Sequence, residues 1–326
     1  MSVDYEKLRQ EVNWDVAKRE LGYREGEPIN LGHVCVDRHV EAGLGDRLAL
    51  IHEGHGGEIR RFTFRDLQQL TNGWAHFLRG TVSIRPLDRV CLFLDKAPEL
   101  YIGFLGILKT GAVVEPLFSA FGEDALVARM LDSRATAIVT QRRHLGKVRK
   151  ARERLPDLKT VIVIDHEEDA RKLREGEIDY RMTDHREDGF AVAATYAESP
   201  SVLHYTSGTT GAPKGAVHVH GSVFAQYLTS KVVLDINEHD VYWCTADPGW
   251  VTGTSYGIIG PWSLGATQVV LDAGFSSDRW YETIEKHRVT VWYTAPTAIR
   301  MLMKDGTEPV RRRNMKIGRA SCRERV

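Results

Sequence analysis

The chain is poor in the features that usually assign a sequence to an extracellular, metal-binding or membrane class. Its 326 residues contain four cysteines, which are scattered without the paired spacing of a zinc site. Scattered cysteines in a chain of this length are typical of reduced thiols rather than of a disulfide framework. No apolar run approaches the roughly 20 residues that cross a bilayer, and the first residues lack the apolar core of a signal peptide. We therefore expect a cytoplasmic protein.

The chain also lacks an excess of either charge. Lysine and arginine together number 44, and aspartate and glutamate also number 44. A balanced charge gives no overall field that would attract nucleic acid or an anionic membrane, so we predict neither as a partner. The hydrophobic content of 42% is that of an ordinary globular protein, and the length suffices for one large domain or two subdomains. The sequence carries no signal for the oligomeric state.

Short apolar runs alternate with helix-like segments along the chain. The nearly continuous apolar run 89–94 predicts a buried strand, 98–108 predicts a helix that begins at a proline, and 111–114 predicts the next strand. Buried strands that alternate with helices predict parallel sheets covered on both faces. We therefore predict an α/β fold in which parallel sheets flanked by helices form two stacked subdomains.

Changes in composition divide the chain into four predicted parts. Residues 1–29 are polar and form an approach segment. Residues 30–198 form the first α/β subdomain, which ends in a charged and irregular stretch. Residues 199–314 form the second α/β subdomain, because the alternation of strands and helices resumes there. Residues 315–326 form a tail that departs from this alternation.

A segment rich in hydroxyl groups and glycine, 205–215, follows the apolar run 201–204. Glycines let a backbone turn tightly around a bound group, successive N–H groups in such a turn bind anions, and a lysine adds positive charge. The P-loop of NTPases requires serine or threonine after its lysine, whereas Lys214 lies between Pro213 and Gly215. The segment therefore predicts a phosphate-binding loop of another kind, with a glycine-rich surface turn as the alternative.

Two later segments narrow this interpretation. Residues 241–253 read VYWCTADPGWVTG, and residues 291–300 read VWYTAPTAIR. Together with the segment 205–215, these motifs resemble the adenylate-forming enzymes, the superfamily of acyl-CoA synthetases, luciferases and peptide-synthetase adenylation domains. The similarity extends from about residue 30 to residue 314 and indicates the short-chain branch, the acetyl-CoA synthetases.

The resemblance implies the fold of the N-terminal domain of these enzymes and a ligase reaction. Acetate would be joined to the α-phosphate of ATP, which releases pyrophosphate, and the acetyl group would then pass to CoA, which releases AMP. The implied small-molecule partners are therefore acetate, ATP and CoA. Mg²⁺ is the implied metal cofactor, although no metal-ligating residue is assigned in this chain.

The resemblance also implies roles for individual residues. Lys214 would balance charge on the phosphates, and Thr252 would donate to the substrate carboxylate or orient phosphate, so these two are the predicted catalytic residues. The predicted phosphate-binding residues are Thr206, Ser207, Gly208, Thr209, Thr210, Gly211 and Lys214. The predicted acyl pocket consists of Trp250, Val251 and Thr252. The alternatives are a solvated surface lysine for Lys214 and a core aromatic for Trp250.

Three histidines, His204, His218 and His220, flank the predicted phosphate loop. No carboxylate or cysteine stands at metal-ligand spacing with them. We therefore interpret them as packing or hydrogen-bonding residues and predict no metal site from them.

The last ten residues, 317–326, match the translation of a common sequencing adapter in one reading frame. The tail 315–326 is therefore interpreted as an artefact, with a basic C-terminal tail of the kind that contacts nucleic acid as the alternative. Because adenylate-forming enzymes are considerably longer than this chain, the resemblance further implies a truncated portion that is inactive alone.

Two other functions stay open. A propionyl- or medium-chain acyl-CoA synthetase fits the same motifs, because a pocket gains only about 1–3 kcal/mol of discrimination from each methylene group. A non-catalytic nucleotide-binding module that stands alone is the second alternative. A native gene that ends near residue 314 would favour the module, and a reading frame that continues would favour the ligase.

Overall fold

The computed structural model describes residues 12–165, 173–182, 185–206 and 211–313, together with the backbone of 319–322. The described strands are β1 (Leu48–Glu53), β2 (Ile59–Thr63), β3 (Arg89–Phe93), β4 (Val113–Pro116), β5 (Ala137–Thr140), β6 (Thr160–Val163), β7 (Glu177–Asp179), β8 (Pro200–Thr206), β9 (Lys214–Val219), β10 (Val241–Cys244), β11 (Thr267–Leu271), β12 (Val291–Thr294) and β13 (Arg319–Cys322). The described α-helices are α1 (Trp14–Glu20), α2 (Arg38–Glu41), α3 (Phe64–Gly80), α4 (Pro98–Lys109), α5 (Glu123–Ser133), α6 (Arg142–Arg152), α7 (Val223–Val232), α8 (Val251–Thr254), α9 (Gly260–Ser263), α10 (Ser277–His287), α11 (Pro296–Lys304) and α12 (Glu308–Arg311). Two sheets with helices between their strands confirm the predicted α/β class.

Local sequence signals account for where several helices begin. Helix α3 begins with a capping box, in which the Thr63 hydroxyl accepts a hydrogen bond from the Asp66 N–H at 3.1 Å. The Asp66 carboxylate in turn accepts from the Thr63 N–H at 2.9 Å. Helices α4 and α11 each carry a proline in the first turn, Pro98 and Pro296, where an N–H group has no intrahelical partner. None of the helices in the described ranges has the length and apolar character needed to span a bilayer.

The first sheet contains seven strands in the order β7-β6-β5-β3-β4-β8-β9. Neighbouring strands are parallel, except that β9 is antiparallel to β8. The side chains of Val90 and Leu92 pack on one face with α3 and α4, and those of Cys91 and Phe93 pack on the other face with α5 and α6. Burial on both faces explains why β3 reads as a continuous apolar run instead of an alternating one.

The second sheet contains six strands in the order β13-β12-β10-β11-β1-β2. Its strands are parallel, except that β2 is antiparallel to β1. A buried tryptophan cluster covers one face: the rings of Trp243 and Trp292 stack at 6.0 Å, and Trp280 of α10 meets Trp243 edge-on at 5.3 Å. Such aromatic contacts contribute about 0.5–1.5 kcal/mol each beyond the burial of the rings.

The two sheets do not divide the chain at residue 198. Strands β1 and β2, from the predicted first subdomain, join the second sheet beside β11. Strands β8 and β9, from the predicted second subdomain, join the first sheet beside β4. Strand partners are set by packing between distant parts of the chain, so a change in local composition near residue 198 does not determine which sheet a strand enters.

The backbone of Arg319–Cys322 forms β13 and pairs in parallel with β12. This strand lies within the tail 315–326, most of which is outside the described residues. The interpretation of that tail as an artefact stays a prediction.

Candidate active site

The sheet topology creates a crevice at the carboxyl ends of β10 and β12. The chain leaves β10 for β11 on one side, while β12 pairs with β10 on the other side. Ligands of open α/β sheets bind at such a switch point, outside the carboxyl ends of the strands. The hydroxyl oxygens of Thr245 and Thr294, at these two strand ends, lie 2.7 Å apart. The second and third sequence motifs therefore meet at one edge of the sheet.

Residues 250–254, called the acyl motif here, include the three predicted acyl-pocket residues and follow β10 at this edge. Trp250 precedes the short helix α8 and is 49% exposed, unlike Trp243 and Trp292, which are buried in the core. Its ring lies 6.2 Å from that of Phe118, which follows β4 of the first sheet. Trp250 is thus a surface residue beside the crevice, and the alternative of a core aromatic does not describe its position.

Gly249 allows this contact between the two sheets. A Cβ atom at position 249 would lie 2.4 Å from the backbone nitrogen of Phe118. Only glycine fits at that distance, because any side chain would push the loops after β4 and β10 apart.

Val251 and Thr252 line a cavity of about 330 Å³. The other lining residues are His218, Ser222, Ala225, Gln226, Thr229, Ser255 and Tyr256. Trp250 lies outside this lining, so of the three predicted acyl-pocket residues the structure brings two to the cavity and leaves the third at its approach. The wall contributed by β9 and α7 was not predicted, because those residues are distant in sequence and carry no motif.

The predicted phosphate loop connects β8 to β9. Thr206 and Lys214 are paired across the two strands, and both are exposed. Gly211 has a φ angle of +93°, a conformation that favours glycine. Ser207, Gly208, Thr209 and Thr210 lie outside the described residues. The described phosphate-binding candidates, Thr206, Gly211 and Lys214, thus lie on both sides of the loop.

A buried hydrogen bond connects this hairpin to the acyl motif. His204 Nε2 of β8 lies 2.7 Å from the Thr254 hydroxyl oxygen of α8. The third histidine, His220, accepts from the Leu31 N–H at 3.0 Å through Nδ1. The interpretation of these histidines as packing and hydrogen-bonding residues describes what the structure shows.

Charged groups at the edge of the first sheet also reach the crevice. Lys96, which follows β3, donates to the Thr245 carbonyl at 2.8 Å. Burial raises the pKa of the neighbouring Asp247 carboxyl above its usual range, although a hydrogen bond from the Gly249 N–H opposes the shift. Burial would also raise the pKa of Asp95, but hydrogen bonds from His144 and Arg143 outweigh it and lower that pKa to about 2. Asp95 is therefore a fixed anion at this edge.

The described residues provide no group of three histidine, cysteine or acidic side chains arranged to hold a metal ion. Magnesium at a nucleotide site is held largely by phosphates, water and one or two carboxylates, so the ion that the resemblance implies does not require such a group. No step of the chemistry below is assigned to a metal.

Comparison with known proteins places this geometry in a family. A model of the AMP-binding enzyme family matches residues 36–321, which is most of the chain. The chain belongs to the AMP-binding enzyme family. The adenylate-forming resemblance of the three motifs is therefore confirmed at the level of the family.

Curated relatives agree with this assignment. The acetyl-coenzyme A synthetase of Bacillus subtilis (strain 168) is 39% identical over 315 residues, which cover 94% of this chain and 52% of the relative. The acetyl-coenzyme A synthetase of Pyrobaculum aerophilum is 35% identical over 323 residues, which cover 89% of this chain and 47% of the relative. The chain thus spans about half the length of the curated relatives that it matches.

A solved structure agrees as well. The crystal structure of a Brucella canis acyl-CoA synthetase superposes with a TM-score of 0.89 at 27% identity. The superposition covers 98% of this chain and 57% of that one. The superposition therefore confirms the predicted fold, that of an adenylate-forming enzyme.

Proposed function

We propose that this chain is the ATP- and acid-binding portion of an AMP-forming acetate–CoA ligase. The proposal rests on one observation, the contact between the hairpin β8–β9, which flanks the predicted phosphate loop, and the predicted acyl-pocket residues. The hairpin β8–β9 contributes His218 to the cavity that Val251 and Thr252 line, and His204 joins the hairpin to the same helix. These contacts support neighbouring sites for phosphates and for a small acid, and the names of the relatives support acetate as the acid.

The first half-reaction joins two anions. A carboxylate oxygen of acetate attacks the α-phosphorus of ATP, a new O–P bond forms, and the bond to the β-phosphate breaks to release pyrophosphate. The barrier arises largely from repulsion and orientation, which fixed donors and cations lower. Lys214 provides a mobile ammonium group at the hairpin, where it balances charge on the leaving pyrophosphate. Thr252 donates its hydroxyl to the carboxylate and orients it.

The second half-reaction transfers the acetyl group. The CoA thiol loses its proton to solvent and attacks the carbonyl carbon of acetyl-adenylate, a C–S bond forms, and AMP leaves with the electron pair of the broken C–O bond. Discrimination against longer acids amounts to about 1–3 kcal/mol for each methylene group, so we expect propionate to react at a lower rate.

Acetate-dependent exchange of pyrophosphate into ATP tests the proposal. Because the chain covers about half of its relatives, the assay uses the gene product of the native locus at its natural length, alongside the 326-residue chain. We expect exchange with acetate in the natural-length protein and none in the 326-residue chain. Faster exchange with a medium-chain acid than with acetate would show that the medium-chain acid is the preferred substrate. Nucleotide binding without any acid-dependent exchange at natural length would favour the binding module.

A further inference from the structure

A chain of two hydrogen bonds runs from the core of the first sheet into the acyl motif. His204 Nε2 lies 2.7 Å from the Thr254 hydroxyl oxygen. That hydroxyl donates to the Val251 carbonyl at 3.0 Å. His204 and Thr254 are both buried, and Val251 lines the cavity. The backbone of the acyl motif is therefore connected to β8 through side chains that solvent does not reach.

The geometry assigns the protons of this chain. A threonine hydroxyl has one proton, and Thr254 directs it to the Val251 carbonyl, so its oxygen accepts from His204. The proton of a neutral His204 ring is assigned to Nε2, because the other tautomer would place it on Nδ1, where no described group could accept it. His204 Nδ1 is buried and has no hydrogen-bond partner among the described residues. Among the described residues, the ring therefore has one hydrogen-bond partner, the Thr254 hydroxyl of the acyl motif.

A second histidine faces His204 within the described part of the chain. The His218 ring of β9 meets the His204 ring edge-on at 5.8 Å. Burial, reinforced by repulsion from His218, lowers the pKa of His204 to about 3. The ring is thus a neutral donor throughout the range in which a ligase assay is run.

Packing alone does not explain a histidine at this position. A buried polar ring costs free energy unless it is hydrogen-bonded, and an aliphatic side chain would fill the same space without that cost. The neighbouring buried residues of β8, Val202 and Leu203, show that aliphatic side chains suit this strand. What the imidazole adds is a rigid donor aimed at α8.

We propose that His204 is a positioning residue, which acts through Thr254 to hold Val251 and Thr252 in register with the hairpin β8–β9. The inference rests on the proposed function, because it assigns the acid to Val251 and Thr252. Loss of the donor removes the hydrogen bond that the buried Thr254 oxygen accepts and lets α8 shift against the hairpin. The acid is then held less well, whereas ATP bound at the hairpin is held as before.

Four variants of the natural-length protein test this inference. His204→Leu removes the donor at similar volume, and His204→Gln keeps an N–H donor at the end of a side chain of similar reach. Thr254→Val removes the hydroxyl, and Thr254→Ser keeps it. We expect His204→Leu and Thr254→Val to lower kcat/KM for acetate about tenfold, in line with an unsatisfied buried group, with KM for ATP changed less than about twofold. The Gln and Ser variants should recover most of the loss, and the double variant H204L/T254V should be no worse than either single variant.

Amide hydrogen exchange supplies a readout that is independent of catalysis. In the natural-length protein, the amides of 251–256 should exchange faster in H204L and T254V than in the parent, and at close to the parent rate in H204Q. Equal exchange in H204L and the parent would overturn the inference, whether or not the protein is a ligase.

The kinetic outcomes separate the inference from the proposed function. Absence of acetate-dependent pyrophosphate exchange in the unmodified natural-length protein refutes the proposed function. The amide hydrogen exchange experiment then decides the inference. An active parent whose H204L variant keeps its kcat/KM for acetate refutes the inference alone. Equal losses for acetate and ATP, or no recovery with H204Q, would indicate a general structural role and would also refute it.

Discussion

Two lysines that each precede a glycine within two residues have opposite environments. Lys109 ends helix α4 and is wholly buried, and its ammonium group donates to Asp37 and to Asn72, each at 2.8 Å. Lys214 begins strand β9 and is exposed at the mouth of the predicted phosphate loop. Burial lowers the pKa of Lys109, although the charge of Asp37 opposes the shift.

The difference separates a structural cation from one that we propose binds a ligand. The donors of Lys109 are committed to fixed partners, and a buried charge without them would cost several kcal/mol. The ammonium of Lys214 sits on a flexible stem in solvent, so a phosphate can recruit it at little cost. Sequence context is similar at the two positions, and burial distinguishes the environments of the two lysines.

The largest expected effect is on stability at the buried lysine. Lys109→Ala leaves the charge of Asp37 buried and uncompensated, and should lower the free energy of unfolding by about 3–5 kcal/mol. Urea unfolding of the 326-residue chain measures this change. Lys214→Ala is the matched control and should change the same quantity by less than about 0.5 kcal/mol. Equal losses at the two positions would remove the distinction between the lysines.

The second effect is on catalysis at the exposed lysine. Lys214→Ala in the natural-length protein should lower acetate-dependent pyrophosphate exchange about 100-fold, because one charged contact to the leaving pyrophosphate is lost. Lys231→Ala is a suitable control, since that lysine pairs with Glu20 at 2.7 Å and contributes to neither motif. Unchanged exchange in the Lys214 variant would show that the hairpin does not bind the phosphates.

A third prediction concerns a buried acid whose described contacts include no ion pair. Burial raises the pKa of Glu115 to about 7, and the hydrogen bond with the Cys91 thiol at 3.1 Å opposes the shift only in part. A raised carboxyl pKa contributes stability that is present below the usual value and is lost as pH rises through about 7. Glu115→Gln should therefore gain about 1–3 kcal/mol relative to the parent at about pH 8, with the gain shrinking toward about pH 5.

Thermal unfolding of both proteins across this pH range measures that gain. A gain that is independent of pH would show that folding does not raise the pKa of Glu115, so that its carboxylate is ionised in the folded protein at about pH 8. Such a result would also show that a buried charge can lie in the first sheet without a cation at little cost.

The smallest effect is expected at the crevice. Trp250→Ala should lower the free energy of unfolding by about 1 kcal/mol or less, because Trp250 is 49% exposed. Trp243→Ala, in the buried tryptophan cluster, should cost about 3–5 kcal/mol. Urea unfolding of the two variants compares them directly. Similar losses in the free energy of unfolding would indicate that Trp250 is a core residue.

The sequence predicted the parts of this molecule that depend on local pattern. The apolar run 89–94 predicted β3, and Pro98 predicted the start of α4, because strand burial and helix capping act over a few residues. The family was predicted from three motifs because their order and spacing are specific.

The sequence did not predict contacts between distant residues. His204 and Thr254 are 50 residues apart, and Asp37 and Lys109 are 72 apart, yet each pair is in direct contact. Neither pair is marked by a local sequence pattern. Each pair forms because packing brings β8 next to α8, and α4 next to the helical stretch around Asp37. The entry of β1 and β2 into the second sheet was missed for the same reason.

The most direct test is a crystal structure of the natural-length protein with acetate and an ATP analogue whose α–β phosphate bridge cannot be cleaved. The account predicts the Lys214 ammonium within hydrogen-bond distance of the β- or γ-phosphate, and the acetate carboxylate at the Thr252 hydroxyl. A Lys214 side chain that points into solvent, with acetate bound away from the cavity between β9 and α8, would contradict it.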